Sequence, residues 1–546
     1  MMVAFPFKIF KVRFIEDMKK WFLPILSGIL LTFSYPPFSI KILPFLALLP
    51  LFFFLNIKKI SPKKSFCAGF LTGFIFFSGI MFWTFDLLPL DWMGIENKAI
   101  GFLIIFFLWL LPILISASFL GIFSLGHRFL RRKNFWDALL TPSLWILLEY
   151  LGCWFFAIIT LGKESLFGPH WTLGNLAYSL AQNSNFRFLA STGGIYLVSF
   201  LIILINVLIF FLLRKLGEVW SPIIKKDKKA GLLYFTAILI IVGLISATYF
   251  IPFPKSQPEE GQVLKVAILQ TKFSPSIYQT KKMIQEEFQI KTALLKKVAL
   301  TNPDIIIFPE NSRFLIHQEA KKVLSELFFQ KEAFIIDSSP TEIPEGGKFI
   351  GVFGNTRGDV LAKSTKRLLL PFGEYPPYII KIPAQIINIK WIEELERSMG
   401  RKKGKEITTF SSPDGWQGGI LFCSEITSPI LFRQIVKKDA QIFFNLGGLA
   451  FSHGSKTLDS QIKAMLQFRA AENGRYLIRA TNYGSSYIIN ERGEIIVKTP
   501  NFENQALFGK VKPISKKTPY TKYSDWILIL AGLASLTFLY KRCIII

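Results

Sequence analysis

Long apolar segments constrain the fold of this chain more than any other sequence feature. Eight of them approach the length that a helix needs to cross a bilayer, which is roughly 17–25 residues. They lie near 20–36, 41–57, 65–86, 99–123, 136–158, 193–213, 230–251 and 525–541. Because backbone polar groups at membrane depth must be satisfied within their own segment, such runs form helices. The sequence therefore predicts a polytopic α-helical membrane domain with about eight spans.

The composition agrees with a membrane protein. Hydrophobic residues make up 51% of the 546-residue chain and charged residues only 18%, against roughly 25% charged in soluble domains. The net charge of +27 would suit a nucleic-acid partner, but the basic residues lie in short clusters between apolar runs. Clusters of this kind fix topology and contact anionic headgroups. Nucleic acid is therefore discounted as a partner.

The loops between the apolar segments alternate in charge. The lysine and arginine clusters lie at 8–20, 58–64, 128–133, 215–229 and 541–542. These are both ends of the chain and every second loop, and such basic residues mark the cytoplasmic side. Both termini are thus expected in the cytoplasm, with seven spans within 1–254. The region 255–520 then lies outside the cytoplasm, and 521–546 holds the last span and a short cytoplasmic tail.

Glu149 interrupts one of the apolar runs. An ionisable group at membrane depth is costly, which indicates either a function or a buried partner. Alternatively, the residue lies near the outer interface and pairs with a loop residue. The sequence fits both alternatives equally well.

Charged residues return between 262 and 512, where short β-type runs alternate with helical stretches. Strands are predicted at 263–269, 304–308, 333–337, 420–423, 442–445, 476–481 and 486–490, and helices at 280–300 and 459–473. Asn490-Glu491-Arg492-Gly493 is typical of a hairpin turn. This region is predicted to be an α/β or α+β domain of about 250 residues.

The cysteines and histidines indicate neither a metal site nor a disulfide framework. No pair of them has the spacing of a metal-binding motif. The residues concerned are Cys67, Cys153, Cys423 and Cys543, and His127, His170, His317 and His453. No metal and no cofactor are expected.

A carboxylate follows a β-branched strand directly at Ile305-Ile306-Ile307-Phe308-Pro309-Glu310. Ligand sites of α/β sheets lie at the carboxyl ends of strands. A glutamate in an apolar setting has a raised pKa, which suits a general base near neutral pH. A solvent-exposed turn carboxylate explains Glu310 about as well on this pattern alone.

A lysine precedes an apolar run that ends in a Pro-Phe-Gly-Glu turn. The run extends from Lys366 to Tyr375 and contains Glu374. A lysine at this position projects into a site and stabilises negative charge. Taken alone, a solvated basic cluster is the more common explanation.

A third stretch with a candidate reactive residue is Gly418-Gly419-Ile420-Leu421-Phe422-Cys423-Ser424-Glu425. It is typical of a buried strand that ends in a sharp turn with a thiol at its tip. A lone cysteine in an apolar run is usually core packing. With a glutamate base and a lysine, however, Cys423 completes the set of groups needed for covalent acyl transfer. Lys366 and the backbone N–H of Ser424 would then stabilise the oxyanion.

The order Glu, Lys, Cys on strand ends resembles the nitrilase superfamily. The resemblance is stronger to the apolipoprotein N-acyltransferases, which place a nitrilase-like domain between the seventh and eighth of eight spans. It covers nearly the whole chain. The motifs that carry it are Phe308 to Ser312, Lys366 with Leu369 to Tyr375, Phe422 to Ile426, Arg469 to Arg475, and Arg479 to Gly484.

The resemblance implies an αββα sandwich, with Cys423 as nucleophile, Glu310 as general base and Lys366 as electrostatic stabiliser. Glu374 and Glu425 match acidic positions that support the site. Asn445 and Asn482 are further supporting residues on matching motifs.

The implied reaction is ping-pong. Cys423 takes a fatty acyl group from a membrane phospholipid, and the α-amine of a diacylglyceryl-modified N-terminal cysteine of an apolipoprotein accepts it as an amide. The implied protein lies in the bacterial inner membrane with a periplasmic catalytic domain. A monomer is expected, because nothing in the sequence demands a partner subunit.

Three positions depart from the family pattern. Ser424 stands where an aromatic residue usually follows the nucleophile. The segment Asn445 to Phe451 lacks the usual aspartate and tryptophan. Before the first strand of the domain, Phe250 and Phe253 lie where a tryptophan is usual. These departures concern the substrate loops and leave the three reactive residues in place.

Two rival functions remain open on the sequence. A membrane-tethered amidase would hydrolyse its thioester with water and release a free acid. A catalytically weakened relative would serve as a lipid-binding scaffold and form no thioester at all.

Overall fold

The computed structural model describes residues 5–58, 60–130, 136–219, 228–248, 262–275, 280–341, 347–386, 396, 400–500 and 502–544. The described helices of the N-terminal part are α1 (Phe5–Ser34), α2 (Leu49–Leu55), α3 (Pro62–Ile80), α4 (Lys98–Leu130), α5 (Asp137–Ile159), α6 (Ser184–Val219) and α7 (Lys228–Ala247). The predicted junction at 254, with Phe250 and Phe253, lies outside the described residues.

Four of the described helices are long and apolar enough to cross a membrane, at 62–87, 98–130, 138–159 and 184–218. Shorter apolar helices lie at 20–34, 43–55, 234–247 and 526–540. The chain therefore has a helical membrane domain.

The apolar run predicted as a span at 41–57 does not form one continuous α-helix. A 3₁₀ turn at Leu43–Phe45 precedes α2 there, and each element has a proline in its first turn. Proline suits the start of a helix because the first N–H groups have no partner within it. The 3₁₀ turn and α2 together make up the shorter apolar helix at 43–55.

Helix α6 is broken inside the bundle. Gly193 and Gly194 have non-helical backbone angles, and Gly194 has a φ of 68° that favours glycine. A Cβ on Gly194 would lie 2.5 Å from the ring of Tyr520, so the close approach of this tyrosine also requires glycine there. The second half of α6 begins at Ile195, near the start of the span predicted at 193–213.

Glu149 of α5 contacts a loop. Its carboxylate accepts hydrogen bonds from Asn175 Nδ2 at 2.9 Å and from the Leu176 N–H at 3.0 Å. Asn175 in turn caps the 3₁₀ turn Leu176–Leu180. Glu149 therefore has a buried partner that belongs to a loop, which is compatible with both alternatives.

The second half of the chain forms two six-stranded sheets. The strands are β1 (Leu264–Gln270), β2 (Ile305–Ile307), β3 (Phe334–Pro340), β4 (Phe349–Asn355), β5 (Val360–Thr365), β6 (Phe410–Ser411), β7 (Gln417–Phe422), β8 (Ile442–Gly448), β9 (Tyr476–Asn482), β10 (Tyr487–Ile489), β11 (Ile495–Lys498) and β12 (Gln505–Val511). The orders are β12-β1-β2-β3-β4-β5 and β11-β10-β9-β8-β7-β6. Strands β1, β2 and β3 are parallel to one another, as are β7, β8 and β9.

The helices of this half are α8 (Lys281–Ala299), α9 (Ala320–Leu327), α10 (Tyr378–Ile386), α11 (Pro429–Lys437), α12 (Lys456–Asn473) and α13 (Pro519–Tyr523), and α14 (Trp526–Ile544) follows them. One apolar core lies between the sheets and includes Ile307 and Phe422. A second packs α8 and α9 on the outer face of the first sheet. The four layers form the αββα sandwich that the resemblance implies.

The third core joins the sandwich to the membrane bundle. It combines Phe432 of α11 and Phe468 of α12 with Phe186 and Ile195 of α6. Apolar burial of this kind is the main favourable contribution to packing. The sandwich is therefore seated on the bundle through the helices of its second sheet.

Strands predicted from buried apolar runs are confirmed within one to three residues, including β1, β2 and β7 to β9. The hairpin turn at 490–493 connects β10 and β11, with Gly493 at a φ of 75°. The predicted strand at 420–423 ends one residue early, because Cys423 begins a 3₁₀ turn, Cys423–Thr427. Strands β4, β5, β6, β11 and β12 were not predicted.

Candidate active site

Glu310 follows β2 on a loop that β3 holds in place. The N–H groups of Asn311 and Arg313 donate to Ser338 Oγ at 2.8 Å and to the Ser338 carbonyl at 2.9 Å. Both residues have a positive φ, 60° and 57°, which costs energy for residues with a side chain. The Leu315 N–H closes the loop on Asp337 Oδ2 at 2.8 Å. Burial raises the pKa of Asp337 to about 6.

Lys366 lies directly after β5, and its ammonium group bridges two carboxylates. Nζ donates to Glu310 Oε1 at 3.0 Å and to Glu374 Oε1 at 2.7 Å, and the side chain is only 2% exposed. Burial alone would lower the pKa of Lys366, but the charges of Glu310 and Glu374 raise it above its ordinary value. Burial likewise raises the pKa of Glu310, although the charge of Lys366 opposes this.

Glu374 is fixed by its own turn. Its Oε2 accepts from the Leu370 N–H at 2.8 Å, and the Phe372 N–H donates to the Tyr375 carbonyl at 3.0 Å. Tyr375 Oη donates to the carbonyl of Thr160 at 2.8 Å. Thr160 directly follows α5, so this turn connects the Lys366 cluster to the membrane domain.

Cys423 directly follows β7 at its carboxyl end, where the residue is half-buried. Its Sγ lies 3.7 Å from the carbonyl oxygen of Gly448, at the end of the neighbouring β8. Burial and the charge of Glu310 raise the pKa of the thiol, while the charges of Lys366 and Arg479 oppose this rise.

Glu425 ties the cysteine turn to the lysine segment. Its Oε2 accepts from the Phe422 N–H at 2.7 Å, and its Oε1 accepts from the Arg367 N–H at 2.7 Å and the Leu368 N–H at 3.3 Å. Burial raises the pKa of Glu425, and these backbone donors oppose the rise. The carboxylate thus fixes the register between two segments that are far apart in sequence.

The side chain of Ser424 adds a contact that an aromatic ring would not make. Its Oγ donates to the carbonyl of Leu368 at 2.5 Å. The serine therefore strengthens the same junction as Glu425. The sequence indicated only a backbone role for this residue.

The two supporting asparagines take different places. Asn445 of β8 donates from Nδ2 to the Leu421 carbonyl of β7 at 3.2 Å, and its Oδ1 accepts from Arg479 Nη1. Asn482, in contrast, bridges to the other sheet, since its Oδ1 accepts from Thr271 Oγ1 at 2.9 Å and the Phe273 N–H at 2.8 Å. Asn482 therefore stabilises the packing of the two sheets against each other.

The loop before α6 contacts the turn that carries Cys423. Thr172 Oγ1 donates to the Thr427 carbonyl at 2.6 Å, and His170 Nδ1 lies 2.8 Å from Ser428 Oγ. Burial lowers the pKa of His170 to about 4, so its ring is neutral near pH 7. These contacts place the thiol beside the membrane domain.

The structure brings Glu310, Lys366 and Glu374 into one hydrogen-bonded cluster, with Glu425 and Ser424 around the adjacent Cys423. Sequence reasoning did not assign site roles to Arg479, in the middle of β9, or to Gly447 and Gly448, at the carboxyl end of β8. An arginine inside a strand of buried residues was the signal available for Arg479. Within the described residues, no group of three or more histidine, cysteine or acidic side chains is arranged to hold a metal ion.

The site and the sandwich define a carbon–nitrogen hydrolase domain. The carbon–nitrogen hydrolase profile matches residues 383–514, a range that includes Cys423 but begins after Lys366. The profile of the apolipoprotein N-acyltransferase N-terminal domain matches residues 27–208 in the membrane half.

Relatives match over nearly the full length. The apolipoprotein N-acyltransferase of Geobacter metallireducens is 27% identical, over 93% of this chain and 92% of the relative. That of Pasteurella multocida is 25% identical, over 94% of each. An amidase of Nesterenkonia from the nitrilase superfamily is 17% identical in its solved structure, covering 50% of this chain and 99% of its own, with a TM-score of 0.36. Over nearly its whole length the chain is therefore similar to apolipoprotein N-acyltransferases.

Proposed function

We propose that this protein transfers a fatty acyl group from a membrane phospholipid to the α-amine of a diacylglyceryl-modified N-terminal cysteine of an apolipoprotein. The observation that carries the proposal is the buried cluster in which Lys366 bridges Glu310 and Glu374 next to the Cys423 thiol. A base, a cation and a nucleophile in one site suit acyl transfer through a covalent intermediate. The seat of this domain on an apolar helical bundle suits substrates that are anchored in a membrane.

In the first half of the reaction, Glu310 accepts the proton of the Cys423 thiol. The thiolate attacks the ester carbonyl of the phospholipid, and the Lys366 ammonium and the Ser424 N–H stabilise the oxyanion. The carbon–oxygen bond then breaks, and Glu310 returns the proton to the departing alkoxide. The products are a lysophospholipid and a thioester on Cys423.

In the second half, the acceptor amine attacks the thioester carbonyl while Glu310 takes a proton from its nitrogen. Collapse of the oxyanion expels the Cys423 thiolate, which regains this proton. The product is an amide, and no water is consumed. Exclusion of water between the two halves is required, and contact of the Cys423 turn with the 170–172 loop favours it.

The proposal includes the topology inferred from charge. The protein crosses the bacterial inner membrane eight times, with a membrane domain at 1–254, a periplasmic catalytic domain at 255–520 and a last span at 521–546. Both termini are cytoplasmic, and the protein acts as a monomer. The alternating basic clusters support this arrangement.

Incubation of the full-length protein with phospholipid vesicles should give one acyl adduct on the peptide that contains Cys423. Intact-protein and peptide mass spectrometry measure it, and Cys423→Ala is the control that should carry none. Addition of a diacylglyceryl lipopeptide should then move the acyl group to its amine. Release of free fatty acid instead would indicate an amidase, and wild-type protein without any adduct would refute covalent acyl transfer.

The rate of Cys423 acylation should fall as the pH is lowered. The midpoint of this fall should lie at a higher pH than the midpoint that an exposed glutamate would give. Because burial raises the pKa of Glu310, the base remains protonated, and therefore inactive, up to a pH above the ordinary value of about 4.3. Single-turnover adduct formation between about pH 4 and pH 9 measures the midpoint, which belongs to the coupled cluster.

Glu374→Gln provides the matched variant for this pH dependence. The negative charge of Glu374 raises the pKa of Glu310, so its removal should move the acid limb to lower pH. A wild-type midpoint near 4.3, or a shift to higher pH in the variant, would contradict the assignment of Glu310 as base.

A further inference from the structure

Arg479 is a fully buried arginine at the centre of the second sheet. It lies on β9 opposite Asn445 of β8, and its Nη1 donates to Asn445 Oδ1. Its Nε and Nη2 have no hydrogen-bond partner within the described part of the chain. A buried cation with unsatisfied donors is costly, which indicates that its charge serves a function.

The guanidinium group lies against the backbone that carries the site. A Cβ on Gly447 would lie 2.6 Å from Nη2 of Arg479, so only glycine permits this approach. The Gly447 carbonyl accepts from the Glu310 N–H at 3.4 Å, and the Gly448 carbonyl lies 3.7 Å from the thiol of Cys423. Arg479 therefore supports the strand end that contacts both reacting side chains.

The charges around the thiol explain why a second cation is needed. Glu310, Lys366 and Arg479 act on Cys423, and Lys366, Glu374 and Arg479 act on Glu310. Lys366 is shared between two carboxylates. When Glu310 takes the proton of Cys423, Lys366 still faces the charge of Glu374, so Arg479 is the cation that remains to balance the thiolate. On the other side of Arg479, Tyr487 donates to Asp459 Oδ2 at 2.9 Å.

We propose that Arg479 is a positioning residue for acyl transfer, which holds Asn445 and the Gly447–Gly448 strand end and supplies the positive charge that favours the Cys423 thiolate. The proposal rests on the proposed function for its role in catalysis. Its effect on the thiol is independent of any substrate, because a nearby cation stabilises a thiolate whatever it attacks.

The test is the pH dependence of Cys423 alkylation by iodoacetamide in the full-length protein, followed by peptide mass spectrometry that separates Cys423 from the other cysteines. Arg479→Met should raise the midpoint by about one pH unit, which lowers the rate near pH 7 about tenfold. Arg479→Gln retains a donor for Asn445 without the charge and should show the same shift, so it replaces the methionine variant if that variant does not fold. Arg479→Lys should remain nearer to wild type.

Arg475→Met is the matched control. Arg475 is also buried, but its guanidinium donates to the carbonyls of Ala440 at 2.9 Å and Lys516 at 2.7 Å. Its loss should lower thermal stability and leave the alkylation midpoint unchanged. An unshifted midpoint in folded Arg479→Met or Arg479→Gln would overturn the proposal. A shifted midpoint in a protein that forms no acyl adduct with phospholipid would instead refute the proposed function alone.

Discussion

Lys366→Met should lower the rate of Cys423 acylation at least about 10³-fold. Loss of a single oxyanion donor costs about 10²–10³-fold, and here the same side chain also positions the base. Without its ammonium group, Glu310 and Glu374 face each other as buried carboxylates, and one of them takes up a proton. Methionine retains most of the buried volume beside Phe349, whose ring lies 5.1 Å from Nζ. The measurement is adduct formation on Cys423 in a single turnover with phospholipid vesicles.

Lys363→Met is the control for this variant. Lys363 belongs to the same strand, β5, but its side chain is exposed, so the substitution should leave the rate within about twofold of wild type, as surface changes are usually nearly neutral. A Lys366→Met protein that acylates within about tenfold of wild type would show that Lys366 neither stabilises the oxyanion nor positions Glu310.

The strands that precede Glu310 and Cys423 were predictable because they are short, continuous apolar runs. Strands β2 and β7 are buried along nearly their whole length, which is typical of parallel strands covered on both faces. Cys423 follows β7 directly and Glu310 follows β2 by three residues, at the strand ends where ligand sites of such sheets lie. This placement, together with the family resemblance, led to the prediction of a common site.

Two of the strands that were missed, β5 and β12, lack this signal. Strand β5 has mostly exposed or half-buried side chains, and in β12 only Val511 is buried. Strand β12 pairs antiparallel with β1, from Leu264 and Val511 to Gln270 and Gln505. Pairing across so long a sequence separation depends on the assembled sheet, and local propensity does not encode it.

The junction around Cys423 was beyond sequence reasoning for the same reason. Glu425 bonds the backbone of Arg367 and Leu368, and Ser424 bonds the Leu368 carbonyl. No local pattern indicates that these two segments adjoin. The role of Arg479 likewise depends on the alignment of β9 with β8, which brings its guanidinium beside Asn445.

The second large effect is expected at the contact between the sandwich and the membrane bundle. Arg469 and Glu472 of α12 are fully buried and form an ion pair, with Nε 2.9 Å from Oε2. Glu472 Oε1 also accepts from the Ile195 N–H at 3.2 Å, where α6 resumes after its break, and Arg469 Nη2 donates to Tyr178 Oη at 3.3 Å. A carboxylate is favourable at a helix N-terminus. The pair therefore joins the catalytic domain to a membrane helix.

Arg469→Met should destabilise the protein by about 3–5 kcal/mol, because removal of one partner leaves an uncompensated buried charge. Burial raises the pKa of Glu472 to about 7 even with the arginine present. The raised pKa means that Glu472 binds a proton more readily in the folded state than in the unfolded state. The loss of stability in the variant should therefore be smallest at low pH, where Glu472 is neutral, and should grow as the pH rises through 7 and above. The midpoint of thermal unfolding of the full-length protein measures this loss.

Glu472→Gln added to Arg469→Met should restore most of the stability, because glutamine still accepts from the Ile195 N–H without carrying a charge. Exposed Lys456→Met on the same helix should have no effect, and a double variant no more stable than Arg469→Met would contradict the assignment of the loss to the stranded carboxylate.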